Sequence, residues 1–510
     1  MTTSRQWIDV DVEELDRLID GAMQAPLSEA DCKKLKTTLH ALVERLRRKR
    51  SSEKTRAVLE PKTPPVAETA LPKPEQSAPA GHGRNAATAF TGAHKVSVQH
   101  PQLRPGDVCP ECREGKVYRQ KKPKTLLRIM GRPPLEATVF EMERLRCNAC
   151  GQVFTAPEPE CAGLDKYDPT SMAMSALMKY GGGMPFYRMA KLEKQLGIPL
   201  PAATQWELVE HAAGLIEPVL KELIRQAAQG AVLHNDDTSM RILKMVRNTD
   251  DGRTGTFTSG IVSILGEWTI ALYFTGWKHA GENLADVLRL RAGEAETPIQ
   301  MCDALSRNTP KLTGVQTLLA FCLAHGRRQF VDVAANFPEE CRYVLEALGA
   351  VYGFDADTKD RGLSPEDRLL FHQTHSAPVM EALRQWMENQ FAEHKTEPNS
   401  GLGKAISYLL RYWKQLTLFL RQAGAPIDNS IVERSLKMAI MNRKNAMFYK
   451  TMNGARVGDL FMSLIHTCEL NKINPFDYLT EMLRHPAEIM MRPAEWMPWN
   501  YRATLARMII

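Results

Sequence analysis

The run AVLHNDDTSMRIL at residues 231–243 decides how this chain is read. Its apolar start and polar finish describe a strand that ends in two aspartates, Asp236 and Asp237. Two further acids hold comparable places at element edges: Asp303 in TPIQMCDALSRN (297–308) and Glu433 in APIDNSIVERSLK (425–437). From Gln229 to Lys437 the pattern reads strand, strand, strand, helix, strand, helix, strand, a long helical stretch, then a helix. Singly, each acid has an ordinary explanation. Asp236 and Asp237 suit a turn, Asp303 suits a helix cap, and Glu433 completes a capping box with Ser430. Together and in this order, carboxylates at three element ends offer the hard oxygen ligands that Mg²⁺ takes.

At 510 residues the chain exceeds one core, so three or more domains are expected. A formal net charge of +7 suits a polyanionic partner. No apolar run reaches the roughly 18–20 residues needed to span a bilayer, and the start MTTSRQWIDVDVEEL lacks a secretory apolar region. No membrane association is expected. Cys32, Cys161, Cys302, Cys322, Cys341 and Cys468 are scattered, which suits a reducing cytoplasm.

Residues 1–50 read as an N-terminal helical hairpin or a short coiled coil. Val12, Leu15, Leu18, Ile19 and Met23 recur at helical spacing, and Leu35, Leu39, Leu42 and Leu46 make a 4-3-4 seam. Residues 51–100, rich in Pro, Ala, Ser and Lys, read as a disordered linker. Residues 157–228 are helical. Within them, Met184–Leu196, a Gly197-Ile198-Pro199 turn and Ala202–Ala213 form a candidate helix-turn-helix, or simply two packed helices.

Between these regions, residues 101–156 hold Cys109-Pro-Glu-Cys112 and Cys147-Asn-Ala-Cys150, with Gly115 and Gly151 close behind. C-x-x-C spacing lets two thiolates on one turn reach one ion, and four thiolates close a tetrahedral structural site. One structural Zn²⁺ on Cys109, Cys112, Cys147 and Cys150 is the expectation; coincidence or redox activity is the plainer alternative.

The element order is the one found in ribonuclease-H-like domains, and the three acids fall where such domains hold two divalent metals. The expected architecture is therefore multidomain α/β plus α. A ribonuclease-H-like mixed-sheet catalytic domain (229–330 and 428–450) carries a helical insertion (331–427), is preceded by a zinc ribbon and helical N-terminal regions, and is followed by a helical tail (451–510). Two Mg²⁺ (or Mn²⁺) ions would sit on Asp236, Asp303 and Glu433, with Asp236 bridging, to clamp the attacking and leaving oxygens of a phosphodiester. Asp237 would assist from behind. His325, with Arg327 and Arg328, would steady a phosphate; a core-edge histidine with solvated arginines is the alternative. Arg434, Arg443 and Lys444 would border a DNA channel.

Five runs carry a closer resemblance: His234-Asn-Asp-Asp-Thr238, Cys322-Leu-Ala-His-Gly-Arg-Arg-Gln-Phe330, Asp428-Asn-Ser-Ile-Val-Glu-Arg-Ser-Leu436, Asn442-Arg-Lys-Asn445 and His466-Thr-Cys-Glu-Leu-Asn-Lys-Ile-Asn-Pro475. In that order they resemble motifs of the transposases of the insertion-sequence 66 group, as do the spaced C-x-x-C pairs, over roughly residues 100–485. Asp237 departs by standing where that family has Glu, and Ala304-Leu-Ser-Arg-Asn308 replaces its aromatic-Gly segment. The resemblance implies an acidic triad of Asp236, Asp303 and Glu433, with Asn429 in the motif around the third acid. It also implies a transposase that cuts and joins double-stranded DNA at an element's terminal inverted repeats and at a target. A homo-oligomer on DNA and small accessory proteins go with it, in the cytoplasm at the nucleoid. An inactive DNA-binding descendant and a metal-dependent DNA nuclease are the alternatives.

Overall fold

The computed structural model describes residues 95–508 except 122–123, 151, 164, 246–252, 254 and 311–315, together with residues 58, 90 and 93. The expectations for residues 1–50 and for most of 51–100 lie outside the described residues. The chain packs as two units: one takes in Ala320–Asp428, and the other runs to Leu319 and resumes at Asn429.

In the larger unit, strands β1 (Arg144–Arg146) and β2 (Val153–Thr155) make an antiparallel hairpin. Helix α1 (Pro169–Ala176) starts where sequence chemistry says it should: Asp168 accepts from the Thr170 N–H at 2.8 Å, and Pro169 fills the first helical position. It runs on into a π-helical turn, Leu177–Gly181. Helix α2 (Phe186–Gln195) and helix α3 (Ala202–Ala227) follow. Val209, Ala212, Ile216, Val219 and Leu223 give α3 a fully buried stripe at helical spacing. The buried Gln205 ties the two helices together, donating to Glu193 Oε2 at 2.7 Å.

Five strands follow: β3 (Val232–Ser239), β4 (Phe257–Leu265), β5 (Trp268–Gly276), β6 (Ile299–Cys302) and β7 (Leu318–Phe321), with α4 (Ala280–Leu288) between β5 and β6. Their order across the sheet is β5-β4-β3-β6-β7. The first three are antiparallel neighbours and β6 joins β3 in parallel, so the sheet is mixed and β3 is its central strand. Burial at consecutive middle positions explains why β4 and β5 read as largely apolar runs, whereas β3 turns polar after Leu233. Sequence patterning expects a helix between β6 and β7. Among the described residues that segment holds a single 3₁₀ turn, Ser306–Asn308, and Thr309 is already extended. The Asn308 carbonyl is occupied by the side-chain amides of Asn235 and Gln300, so it is not available to a helix.

The smaller unit is helical: α5 (Leu323–Val333), α6 (Pro338–Asp360), α7 (Pro365–Ala392) and α8 (Gly401–Arg411), then a short turn Trp413–Leu416. Ser364 caps α7, accepting from the Asp367 N–H at 3.1 Å, with Pro365 first in the helix. Asp355 is buried, which opposes its charge. Hydrogen bonds from His372 and Lys359 and the charge of Arg368 outweigh that and hold it below the usual carboxylate range.

The larger unit resumes with α9 (Ser430–Ala446), α10 (Met452–Leu470) and α11 (Pro475–Arg484). Helix α10 lies along the outer edge of β5. Asp459 Oδ2, Ser463 Oγ, Thr467 Oγ1 and Asn471 Oδ1 accept from the backbone N–H groups of Thr275, Tyr273, Ala271 and Thr269, at 2.6, 3.0, 3.0 and 3.1 Å. Four helical residues rise about 6 Å and two strand residues about 6.6 Å, so the two ladders stay in step.

Candidate functional site

Alternation along β3 sorts its polar end onto two faces. His234, Asp236 and Thr238 turn toward α9. Asn429 Oδ1 lies 3.0 Å from His234 Nδ1, and Thr238 Oγ1 accepts from Arg443 at 3.0 Å. Asn235 and Asp237 turn the other way. Asn235 bonds to the Asn308 carbonyl at 2.7 Å, and Asp237 meets His279 Nδ1 at 2.8 Å and Arg307 at 3.3 Å. The two adjacent aspartates therefore have different neighbours.

Asp236 is the one that gathers the other acids. Its carboxyl is pushed up to about 7, by burial first and then by repulsion from Asp303, Asp237 and Glu433. Asp303 leaves the end of β6, and the buried Asn308 Nδ2 donates to its Oδ1 at 2.5 Å while reaching Asp236 Oδ1 at 3.4 Å. Glu433 lies in the first turn of α9, whose start is Asn429 with no side-chain cap. A capping box from Ser430 needs that serine one position earlier, so the helix-cap explanation of Glu433 does not match this start. The Asn429 side chain is used elsewhere: it donates to the Asn235 carbonyl at 3.1 Å and pins α9 to β3.

The descent of α9 onto the sheet depends on Gly260, which faces Asp236 across the β3–β4 ladder. A Cβ there would stand 3.0 Å from Leu436 Cδ2 and 3.3 Å from Val432 Cγ2. The donor set fits a divalent cation on two counts. Burial and the charges of Asp303, Asp237 and Glu433 raise the proton affinity of Asp236, and the buried Asn308 Oδ1 beside it has no donor among the described residues.

Of the expected supporting residues, Asp237 has a side chain only 2% exposed, held by His279 and Arg307. Arg443 is spent on Thr238 and Ser239 at the end of β3. Arg434 and Lys444 are exposed on α9, with Arg434 touching Ser430 Oγ at 3.2 Å. His325, Arg327 and Arg328 lie on α5 in the other unit. Asn308, His279, Arg307 and Gly260 were not anticipated; only an unbroken polar run, Ser306-Arg-Asn308, hinted at the first.

The cysteine pairs each sit on a tight turn. Around Cys109 and Cys112, Cys109 N–H donates to the Gly115 carbonyl at 2.7 Å and Gly115 N–H points at Cys112 Sγ at 3.5 Å. Donors from Gly115, Glu114 and Cys109 lower the Cys112 thiol from its ordinary value, which favours the thiolate a zinc ion takes. Cys147 N–H donates to the Gln152 carbonyl at 2.9 Å, so the second pair occupies the turn joining β1 to β2.

A family model described as Transposase IS66 family matches residues 166–457, a span that takes in all three acids. The chain is also similar to proteins of Sinorhizobium fredii. Uncharacterized protein y4jD is 28% identical over 387 residues, covering 71% of this chain and 71% of its own length. Uncharacterized protein y4hP is 26% identical over 386 residues, covering 72% and 68%.

Proposed function

The chain belongs to the IS66 transposase family, and from that premise we propose that it is a DNA transposase whose phosphodiester chemistry runs at Asp236, Asp303 and Glu433. The observation that carries this reading is the convergence of Asp303 and Glu433 on Asp236, whose carboxyl is pushed up to about 7 by burial first and then by neighbouring charges. Such a cluster is costly without a cation and ordinary with one. The mixed five-stranded order, with Asp236 within its central strand, supports a ribonuclease-H-like catalytic domain.

Asp236, Asp303 and Glu433 would hold two Mg²⁺ or Mn²⁺ ions, which when bound lower the proton affinity of an attacking water or 3′-hydroxyl and stabilise the leaving oxygen. Asn308 fixes the angle between Asp236 and Asp303. Asn429 holds Glu433 at the depth of the strand end. Cys109, Cys112, Cys147 and Cys150 would brace residues 101–156 around one Zn²⁺. On this reading the partners are the element's inverted repeats and a target duplex, and the active form is an oligomer assembled on DNA, aided where needed by accessory proteins.

The test is Glu433→Gln in the full chain, with Mg²⁺ and DNA carrying the element's ends. Glutamine keeps the hydrogen-bonding shape and removes the charge. Cleavage and strand transfer should fall by more than the roughly 10–100-fold typical of residues that only hydrogen-bond a metal ligand, while DNA binding persists. Near-normal cleavage by Glu433→Gln would overturn the triad. Cleavage by the parent with no joined product would make the protein a nuclease, and binding alone would make it an inactive relative.

A further inference from the structure

The helical unit Ala320–Asp428 carries a cleft of about 630 Å³ that the proposed chemistry does not use. Arg384, Arg411, Lys414 and Arg421 line it against a single acid, Glu381, and the half-buried Trp413 forms one wall. Among the described residues, only Arg384 of these four cations is paired with a carboxylate, Glu388 at 2.9 Å. Arg421 is held in place by neutral partners, donating to Thr417 Oγ1 at 2.9 Å and to the Lys414 carbonyl. The Arg411 guanidinium lies 5.6 Å over the Tyr412 ring, which orients it and leaves its charge intact. Arg411, Lys414 and Arg421, without a carboxylate partner among the described residues, outnumber Glu381 in the cleft and repel one another unless a further anion joins them.

We propose that this cleft binds the phosphate backbone of duplex DNA, giving the helical insertion a DNA contact of its own, apart from the acids and from the N-terminal regions. The inference rests on the transposase reading for the identity of the polyanion. Three of the four cations are arginines, whose planar forks match phosphate oxygens two at a time. Phosphate contact reads no sequence, so this surface would strengthen binding to every duplex alike.

The experiment is equilibrium binding of the full chain to a non-specific duplex between 50 and 200 mM salt, comparing the parent with the double variant Arg411→Glu/Lys414→Glu. Each lost phosphate contact should make the slope of log affinity against log salt shallower by about 0.9, so the variant should lose about 1.8. Arg342→Glu, an exposed change on α6 in the same unit, should leave the slope unchanged. Identical slopes and affinities for parent and double variant would overturn the cleft and leave the transposase reading standing. A parent that binds no duplex at all would bring down both. If the double variant keeps its DNA affinity and instead loses binding to polyglutamate, the cleft belongs to an acidic protein and the proposal fails. A second measurement needs no variant. Acetylation of Lys414 in the parent, read by mass spectrometry, should be suppressed by duplex DNA while that of the exposed Lys221 is not. Equal labelling of Lys414 with and without DNA would overturn the proposal.

Discussion

Gly260 stands opposite Asp236 on the neighbouring strand, and the space a side chain would take there is filled by Leu436 and Val432 of α9. Glu433 follows Val432 in the same helical turn, so the absence of a Cβ on β4 sets how closely the third acid approaches the first. Gly260→Ala should push α9 outward, lowering stability by about 1–3 kcal/mol and cleavage along with it. Gly214→Ala, in α3 with nothing within 4 Å of the added carbon, should instead stabilise by about 0.5–1 kcal/mol. Thermal unfolding of both variants, read beside a cleavage assay, checks the contrast.

Asp236 also predicts a pH dependence. Its folded pKa of about 7 lies above the ordinary carboxylate value, so the folded chain holds this proton more tightly than the unfolded chain. The resulting stability is complete at acidic pH and is lost as pH rises through 7. Asp459 and Glu193, each pushed up to about 7 by burial, act in the same direction. The metal-free protein should therefore melt at lower temperature at pH 7.5 than at pH 5. Asp236→Asn should flatten part of that slope and raise the pH 7.5 melting temperature by roughly 2–4 °C, while abolishing cleavage. Added Mg²⁺ should raise the parent's melting temperature and leave the variant's nearly unchanged. An unaltered pH slope in Asp236→Asn would remove the electrostatic argument.

Asn308 touches both Asp236 and Asp303 through one amide nitrogen. Asn308→Ala deletes that donor, and Asn308→Asp replaces it with a fourth charge. The alanine variant should weaken Mg²⁺-dependent cleavage about 10–100-fold, recoverable in part at high Mg²⁺. The aspartate variant should shift the Mg²⁺ requirement further. Titration of activity against Mg²⁺ separates the two, and equal curves for parent and Asn308→Ala would reduce Asn308 to a loop anchor.

For the cysteine pairs the expectation is one Zn²⁺ per chain. Cys147→Ser should release it and loosen residues 101–156 locally, since a closed thiolate site contributes directly to folding. Elemental analysis with hydrogen exchange over that region reads both outcomes. Metal-free protein whose four thiols alkylate freely would sink the assignment.

Much of the acid site was legible because its signals are local. An apolar run leading into Asp236 and Asp237 marks a strand, which in the structure continues through both to Ser239 instead of ending there, and strand alternation alone implies that only one of them can face a given helix. Glu433 was ambiguous in sequence because Ser430 offers a plausible cap, and the cap geometry at Asn429 is a tertiary outcome. Asn308, His279 and Gly260 were invisible for a different reason. Their partners lie far along the chain, as with Asp236 and Asn308 at a separation of 72 residues, and no periodicity reports such a meeting. The described residues just after Asp303 misled for the same reason: their helical expectation lost to side-chain amides that claim the Asn308 carbonyl.

The Asp459, Ser463, Thr467 and Asn471 ladder makes α10 a surrogate strand. Open sheet margins are where foreign chains zip on, and here every second amide along β5 is already answered by a rung that cannot be extended. A partner peptide has no template to copy on that side, and misassembly through it is blocked without a proline or a guarding lysine. Thr467→Val would leave the Ala271 amide unanswered while keeping the helix's shape, opening one gap in the fence. Self-association on mild heating, more than lost activity, is the trait that change should bring out.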